Sequence, residues 1–244
     1  VLQNKEYAKF YRKVSENGEF VILDNSVIEL GHPMLPSELS RAVEVVHPSE
    51  MVMADFPGKP EETYTWAEQY GPVFKARYPK MRLMTVPQVD PDHEYAPGVS
   101  NSVIDWLASL RELSSLQCVD TIGIPKFLGR HRHTVCEEIQ IGSFYMDKQY
   151  HLLGTSGNPI EVKDLAKDFP WIRGIDSKAP VRAGLAGAAF HPQYGLLVRR
   201  EGLPPLDFDE DHDPLPVITH YNVKTFITWA TPTNLTAEIL RLRQ

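Results

Sequence analysis

The sequence predicts an α/β protein built on parallel strands, and two observations carry that prediction. Short apolar runs alternate with longer segments of helical period along most of the chain. The connections between runs are long enough to be crossovers, which parallel strands require and hairpins do not. No Gly-rich dinucleotide or P-loop fingerprint follows any of the runs, which lowers the odds on a Rossmann-type cofactor site.

The apolar runs fall at 20–23, 51–54, 82–86, 119–124, 150–153 and 172–175. Between the first two, Leu39, Ala42, Val43 and Val46 keep i, i+3, i+4, i+7 spacing behind Pro36, a good first-turn residue. The segment 61–78 follows Pro60 and opens on Glu61 and Glu62, which suit the positive end of a helix dipole. Val103, Leu107, Leu110 and Leu113 form the next stripe, and 132–146 and 160–169 read as two further helices. The piece "LPPLDFDEDHDPLP" (203–216) reads as a long acidic, Pro-rich loop, followed by "VITHYNVKTFITWA" and "LTAEILRLRQ" as closing helical elements. Six strands, with one or two more at the ends, suit a closed barrel or an open doubly wound sheet. There is no internal repeat.

The 244 residues suit one barrel or two small domains, and 42% hydrophobic with 23% charged residues is ordinary for a globular protein. No apolar run approaches a membrane span. No signal-peptide pattern is present either, although the chain opens on Val1 rather than Met. Cys118 and Cys136 are too few for a disulfide framework and lack the spacing of a structural zinc site, so a reducing, cytoplasmic setting is expected. A net charge of −7 argues against a protein that coats nucleic acid nonspecifically, yet "KFLGRHRH" (126–133) concentrates Lys126, Arg130, His131, Arg132 and His133 in one stretch. A solvated loop is the plain alternative there.

Parallel α/β folds place their sites at the C-terminal ends of the strands. The stretch "FVILDNSVIELG" ends its run on Asp24, "MVMADFPG" on Asp55 and "LMTVPQ" on Gln88. The fourth run, "TIGIPKFLGRHRH", carries Gly123 before its basic stretch, and "HLLGTSGNP" gives Gly154 and Gly157. The sixth, "IRGIDSKAPVRAG", ends on Asp176 with Lys178 and Arg182 behind it. Any one of these aspartates taken alone is explained as a helix cap or turn residue. Three at one structural level, rimmed by Lys126, Arg130, Arg132, Lys178 and Arg182, point to a site. His131 and His133 are surface residues or the start of a metal site, and no third clustered ligand accompanies them. His32, His47 and His191 are scattered.

These motifs, in this order, resemble the tRNA-guanine transglycosylase superfamily, which exchanges guanine for a 7-deazaguanine on a (β/α)8 TIM-type barrel. "ILDNSVIEL" is similar to the family's Asp-Ser-Gly-Gly strand end, and "MVMADFPG" to its second acidic motif. "VPQ" resembles the Val-Gln-Gly base-binding segment, "YHLLGTSGNPIEV" the Leu-Met-Gly-x-Gly-x-Pro turn, and "GIDSKAPVR" the Phe-Asp-x-x-x-Pro-x-Arg strand. Asn25-Ser26-Val27 departs from Ser-Gly-Gly, and Thr155-Ser156 alters the glycine turn. The Cys-rich zinc subdomain of the tRNA enzymes has no counterpart here, and the chain is shorter. The resemblance is therefore strongest to the compact, phage-borne 7-deazaguanine DNA transglycosylases.

The resemblance implies a single barrel domain over 1–244, with its completeness at the N-terminus left open and without a zinc subdomain, working without cofactor or metal in the cytoplasm of the phage's host. It implies Asp176 as the nucleophile and Asp24 as the proton-transferring carboxyl. Asp55 and Gln88 would read the base edge, the carboxylate accepting N1–H and the 2-amino group and the amide donating to O6. Gly123 and Gly154 would let backbone approach the flat ring. Lys126, Arg130, Arg132, Lys178 and Arg182 would hold phosphates. The implied partners are DNA with a flipped or single-stranded guanine and a free 7-deazaguanine base, with no membrane and with a homodimer left open. The modified DNA would resist restriction. The alternatives are the same exchange on tRNA, a metal-dependent hydrolase using Asp24, Asp55, His131 and His133, and a noncatalytic nucleic-acid-binding barrel.

Overall fold

The computed structural model describes residues 5–90, 101–142, 147–155, 158–196 and 215–231. In chain order its elements are α1 (Lys5–Glu16), β1 (Ile22–Leu23), α2 (Val27–Leu30), α3 (Pro36–Val46), β2 (Glu50–Val52) and α4 (Pro60–Arg77). Then come β3 (Arg82–Thr85), α5 (Asn101–Ser115), β4 (Thr121–Pro125), a 3-10 turn (Lys126–His131) and α6 (Arg132–Ile141). The chain continues through β5 (Gln149–Leu153), α7 (Glu161–Asp168), β6 (Ile172–Asp176) and α8 (Ala179–Leu185), and closes with β7 (Phe190–His191), β8 (Gly195–Leu196) and α9 (Val217–Ala230). It divides into two compact units, one of Val1–Ile124 with Glu137–Gln149, the other of Pro125–Cys136 with Tyr150–Gln244.

In the first unit β1 pairs with β2, β2 with β3 and β3 with β4, every pair parallel. Strand order follows chain order with no reversal, as in an arc of a singly wound barrel; a doubly wound sheet would turn back at a switch point. In the second unit β5 and β6 are also parallel. Six parallel strands alternating with helices are thus present among the described residues, the architecture of part of a TIM-like barrel.

Each element has a local cause. Pro36 starts α3, the Leu35 N–H donates to Glu38 Oε2 at 2.8 Å, and the helix buries Leu39, Ala42, Val43 and Val46 before His47 takes a left-handed φ of 54°. Pro60 starts α4, whose Gly71 leaves room for the Cys118 thiol. All residues of β2 and β4 are buried, so the runs from Met51 and Ile122 read as apolar rather than alternating, and the two polar residues at the strand starts meet each other, Thr121 Oγ1 donating to Glu50 Oε1 at 2.5 Å. Leu39, Met51, Leu83, Met84 and Ile122 are fully buried at the centre of this unit, each contributing about 1.5–3 kcal/mol of burial free energy.

The core of the second unit gathers Val162, Ala179, Ala183, Phe190, Phe226 and Trp229, with Phe190 and Trp229 stacked at 5.4 Å and 12°. Gly184 lets α8 approach α9 so closely that a Cβ there would collide with Thr219. Buried Asn222 on α9 accepts from the Phe190 N–H at 2.7 Å and donates to the Ala188 carbonyl at 2.8 Å, which ties β7 to that helix.

Each of the six apolar runs overlaps a strand, and the segment after Pro216 is α9. The elements α1, α2 and α8 and the β7–β8 hairpin add to what the sequence reading names. The basic stretch 126–131 is a 3-10 turn leading into α6, not an irregular loop. The expected helix 132–146 ends at Ile141, and 143–146 lie outside the described residues. So do Gly157, the loop 203–216 up to its last two residues, and the closing segment 235–244.

Candidate functional site

Two clusters of strand-end residues stand out, one in each unit. In the first, β1 stops at Leu23 and leaves Asp24 exposed, with Asn25 buried directly behind it. The Asn25 Oδ1 accepts from the Val27 N–H at 3.1 Å, an Asx turn that launches α2. Ser26 adopts a left-handed φ of 56°, the conformation glycine takes most cheaply. The Asn25 Nδ2 donates to the Met53 carbonyl at 2.7 Å and to Asp55 Oδ1.

Asp55, three residues past β2, is 7% exposed. Its other oxygen, Oδ2, accepts from Gln88 Nε2 at 2.7 Å, and the same amide nitrogen reaches the Val86 carbonyl at 3.2 Å. A buried carboxylate is thus clamped between two side-chain amides delivered from the ends of β1 and β3. Burial raises the Asp55 pKa to about 6, against a lowering by the Asn25 hydrogen bond, and the nearby negative charge of Asp24 adds to the rise.

That shift has a definite sign. An unfolded aspartate ionises near 3.9, so between about pH 4 and pH 6 the folded chain binds one proton more at this site. Asp55 therefore favours folding below about pH 4, and that contribution is lost as pH rises through about 6, some 2–3 kcal/mol in all. Urea denaturation at pH 4.5 and pH 7.5 should show Asp55→Asn removing this component, with the variant gaining on wild type at the higher pH. An equal offset at both values would mean that the carboxyl is not desolvated.

The second cluster surrounds the end of β6. Asp176 is exposed, 60% by side chain, and its Oδ1 accepts from the Gly154 N–H at 3.3 Å while its own carbonyl accepts the same N–H at 3.0 Å. Gly154 follows β5 with φ 66° and lies under the stem of Lys126, whose Cδ would be 3.2 Å from an added Cβ. The hydroxyls of Ser177 and Thr155 are 3.4 Å apart, and Ser177 Oγ accepts from the Ala179 N–H at 3.1 Å, turning the chain into α8. His151, inside β5, sets Nε2 3.6 Å from Asp176 Oδ1.

The sequence-derived positions fall out as follows. Asp24, Asp55 and Gln88 share the first cluster, and Gly123 is buried within β4. Gln88 needs correcting in role: its amide nitrogen is engaged by Asp55 and Val86, so it orients the carboxylate instead of donating to a ring O6. Gly154, Lys126 and Asp176 share the second cluster; Lys126, Arg130 and Lys178 are exposed and Arg182 half-buried. Arg132 also needs correcting. It is 1% exposed, and its guanidinium donates to the carbonyls of Pro125 (3.2 Å), Leu153 (2.7 Å) and Gly154 (2.8 Å) and to Glu161 (3.2 Å). Burial lowers its pKa from the ordinary guanidinium value, opposed by Glu161. It is a structural cation that holds the end of β5, turned inward from any phosphate.

His133 Nε2 lies 3.2 Å from Asp168 Oδ2, and its ring meets Phe169 edge-on. Among the described residues no group of three His, Cys, Asp or Glu side chains is arranged to hold a metal, and no helix is long and apolar enough to cross a membrane. Sequence reasoning missed two residues. Asn25 counted only as a departure from a motif, although a polar residue directly after a strand-end acid is a signal. His151 sits in an otherwise apolar stretch, "YHLL", where a lone imidazole marks an interruption. No protein-family model and no curated protein matches this chain, so both clusters are interpreted from their own chemistry.

Proposed function

We propose that this chain is a transglycosylase that exchanges guanine in DNA for a 7-deazaguanine base through a covalent Asp176–deoxyribose intermediate, on a (β/α)8-type barrel. The observation that carries the reading is the contrast between two strand-end carboxylates. Asp55 is dehydrated and fixed by two amides, as a recognition group must be, while Asp176 is exposed, as a nucleophile must be to meet a sugar. The motif resemblance assigns the same roles to the same positions.

The chemistry balances without a cofactor. An oxygen of Asp176 attacks C1′ as the bond from C1′ to the guanine nitrogen breaks, and the departing base takes a proton from a general acid, the role that the motif resemblance gives to Asp24 once it has taken up a proton from water. The Asp24 carboxylate then removes the corresponding proton from the incoming base. That base's nitrogen attacks C1′ and releases Asp176. Two displacements with a carboxylate nucleophile are the logic of retaining glycosidases, applied to an N-glycosidic bond.

Asp55 accepts the N1–H and 2-amino donors of a guanine-type ring with the lone pairs its two amides leave open. Adenine offers no such donor pair and would leave the buried carboxylate poorly matched, so it is rejected. Lys126, Arg130, Lys178 and Arg182 hold phosphates, a local role compatible with the net charge of −7.

The test is nucleoside mass spectrometry of DNA incubated with the protein and a 7-deazaguanine base, with a parallel reaction on tRNA. Modified deoxyguanosine supports the proposal. Modification of tRNA alone would move the substrate from DNA to RNA, and modification of neither, with metal-dependent hydrolysis in its place, would overturn it.

A further inference from the structure

We propose that His151 is the positioning residue of Asp176, its Nε2–H holding Oδ1 so that Oδ2 is turned toward the sugar; this rests on Asp176 being the nucleophile. His151 is 6% exposed, and neither ring nitrogen has a hydrogen-bond partner among the described residues. A histidine kept only for packing is normally tied to a carbonyl or hydroxyl, because a buried polar atom without a partner is costly. Here Nε2 faces an acceptor just beyond hydrogen-bond distance, Asp176 Oδ1 at 3.6 Å.

The backbone arranges this approach. His151 pairs with Gly174 across β5 and β6, and its ring lies over Gly174, where an added Cβ would meet Cε1 and Nδ1 at an ordinary contact distance of 3.5 Å. Register shifts at this point. One step on β5, Tyr150 to His151, takes up two on β6, Ile172 to Gly174. Such bulges re-aim side chains, and this one lies two residues before Asp176.

The tautomer follows from the surroundings. With the proton on Nε2 the ring offers a donor to a carboxylate. With the proton on Nδ1 it would set one lone pair against another and bury an N–H without an acceptor. A separation of 3.6 Å is longer than a hydrogen bond, and catalytic contacts of this kind commonly close only when substrate binds. The Gly154 N–H approaches the same Oδ1. One carboxylate oxygen is thereby approached from two sides, which leaves the other for C1′.

The experiment compares full-length wild type, His151→Leu, His151→Gln, His151→Asn and Asp176→Asn by the single-turnover rate of covalent protein–DNA adduct formation, with DNA affinity and thermal melting measured alongside. His151→Leu is expected to slow adduct formation by about 10²-fold at unchanged DNA affinity. His151→Gln, whose amide nitrogen reaches roughly the place of Nε2, should recover at least about tenfold of that loss, while the shorter His151→Asn should not. The Gln and Asn pair keeps the test decisive should the Leu variant melt early. Wild-type adduct rates in His151→Leu or His151→Asn, with Asp176→Asn inactive, would overturn this inference alone. Adduct formation by Asp176→Asn, or none by wild type, would overturn the parent reading and this inference with it.

Discussion

Asp176→Ala is expected to abolish base exchange, lowering its rate by about 10⁴-fold or more, the usual scale for removing a covalent nucleophile. Fold and DNA binding should be almost untouched. The side chain is 60% exposed, so its truncation opens no cavity, and the Gly154 N–H keeps its bond to the Asp176 backbone carbonyl at 3.0 Å. Surface truncations of this sort change stability by about 0.5 kcal/mol or less. Loss of product with an unchanged melting curve and unchanged DNA affinity would therefore report chemistry. Activity within about tenfold of wild type would remove Asp176 from the reaction path.

The largest stability effect is expected at Arg132. Replacing it with Leu leaves three backbone carbonyls and Glu161 without their donor inside the protein. Breaking a buried ion pair by removing one partner costs about 3–5 kcal/mol. For a chain of this size that corresponds to a fall in Tm of about 10 °C, at about 2–4 °C per kcal/mol. Arg132→Lys should rescue little, because a single ammonium cannot serve acceptors spread around a planar guanidinium. Chemical denaturation with the three proteins side by side measures this. A loss below about 1 kcal/mol for the Leu variant would mean that the guanidinium is replaceable by water or turned outward.

The same residue shows where sequence reading stops. Arg132 stands in a basic stretch with Lys126 and Arg130 and looks like them by composition, yet two of its acceptors lie on Leu153 and Gly154, more than twenty positions away. Side-chain destination is long-range information, and local charge does not carry it. Strands were legible because burial on both faces forces continuous apolar runs, as in "TIGIP" of β4. The strand-end rule then led to Asp55 and Gln88, which lie side by side, without revealing that the amide serves the carboxylate. Helix α1 escaped notice although Tyr7, Phe10, Tyr11 and Val14 keep i, i+3, i+4, i+7 spacing; the stripe is aromatic and Ala8 is the helix's one buried residue, so it lacks the aliphatic core pattern of α3. The β7–β8 hairpin escaped because two-residue strands have no period to read. His151 is a single polar interruption, and its meaning depends on Gly174 and Asp176 across the strand pair.

Under the proposed function the clamp on Asp55 also bears on recognition. Asn25 is held by the Val27 N–H and the Met53 carbonyl, so Asp55 Oδ1 meets an amide that cannot easily turn away. A carboxylate fixed in this manner offers a preset acceptor pair, which lowers the ordering cost of capturing a flat donor edge.

The most direct measurement is to quench wild type during turnover on a short guanine-containing DNA, digest the denatured adduct, and map the deoxyribose attachment by peptide mass spectrometry. A sugar ester on the peptide carrying Asp176 is the expected result, with the adduct dispersing when free 7-deazaguanine is added before the quench. An adduct on any other residue, or exchange that proceeds with no adduct under conditions that trap one in a control transglycosylase, would contradict the account.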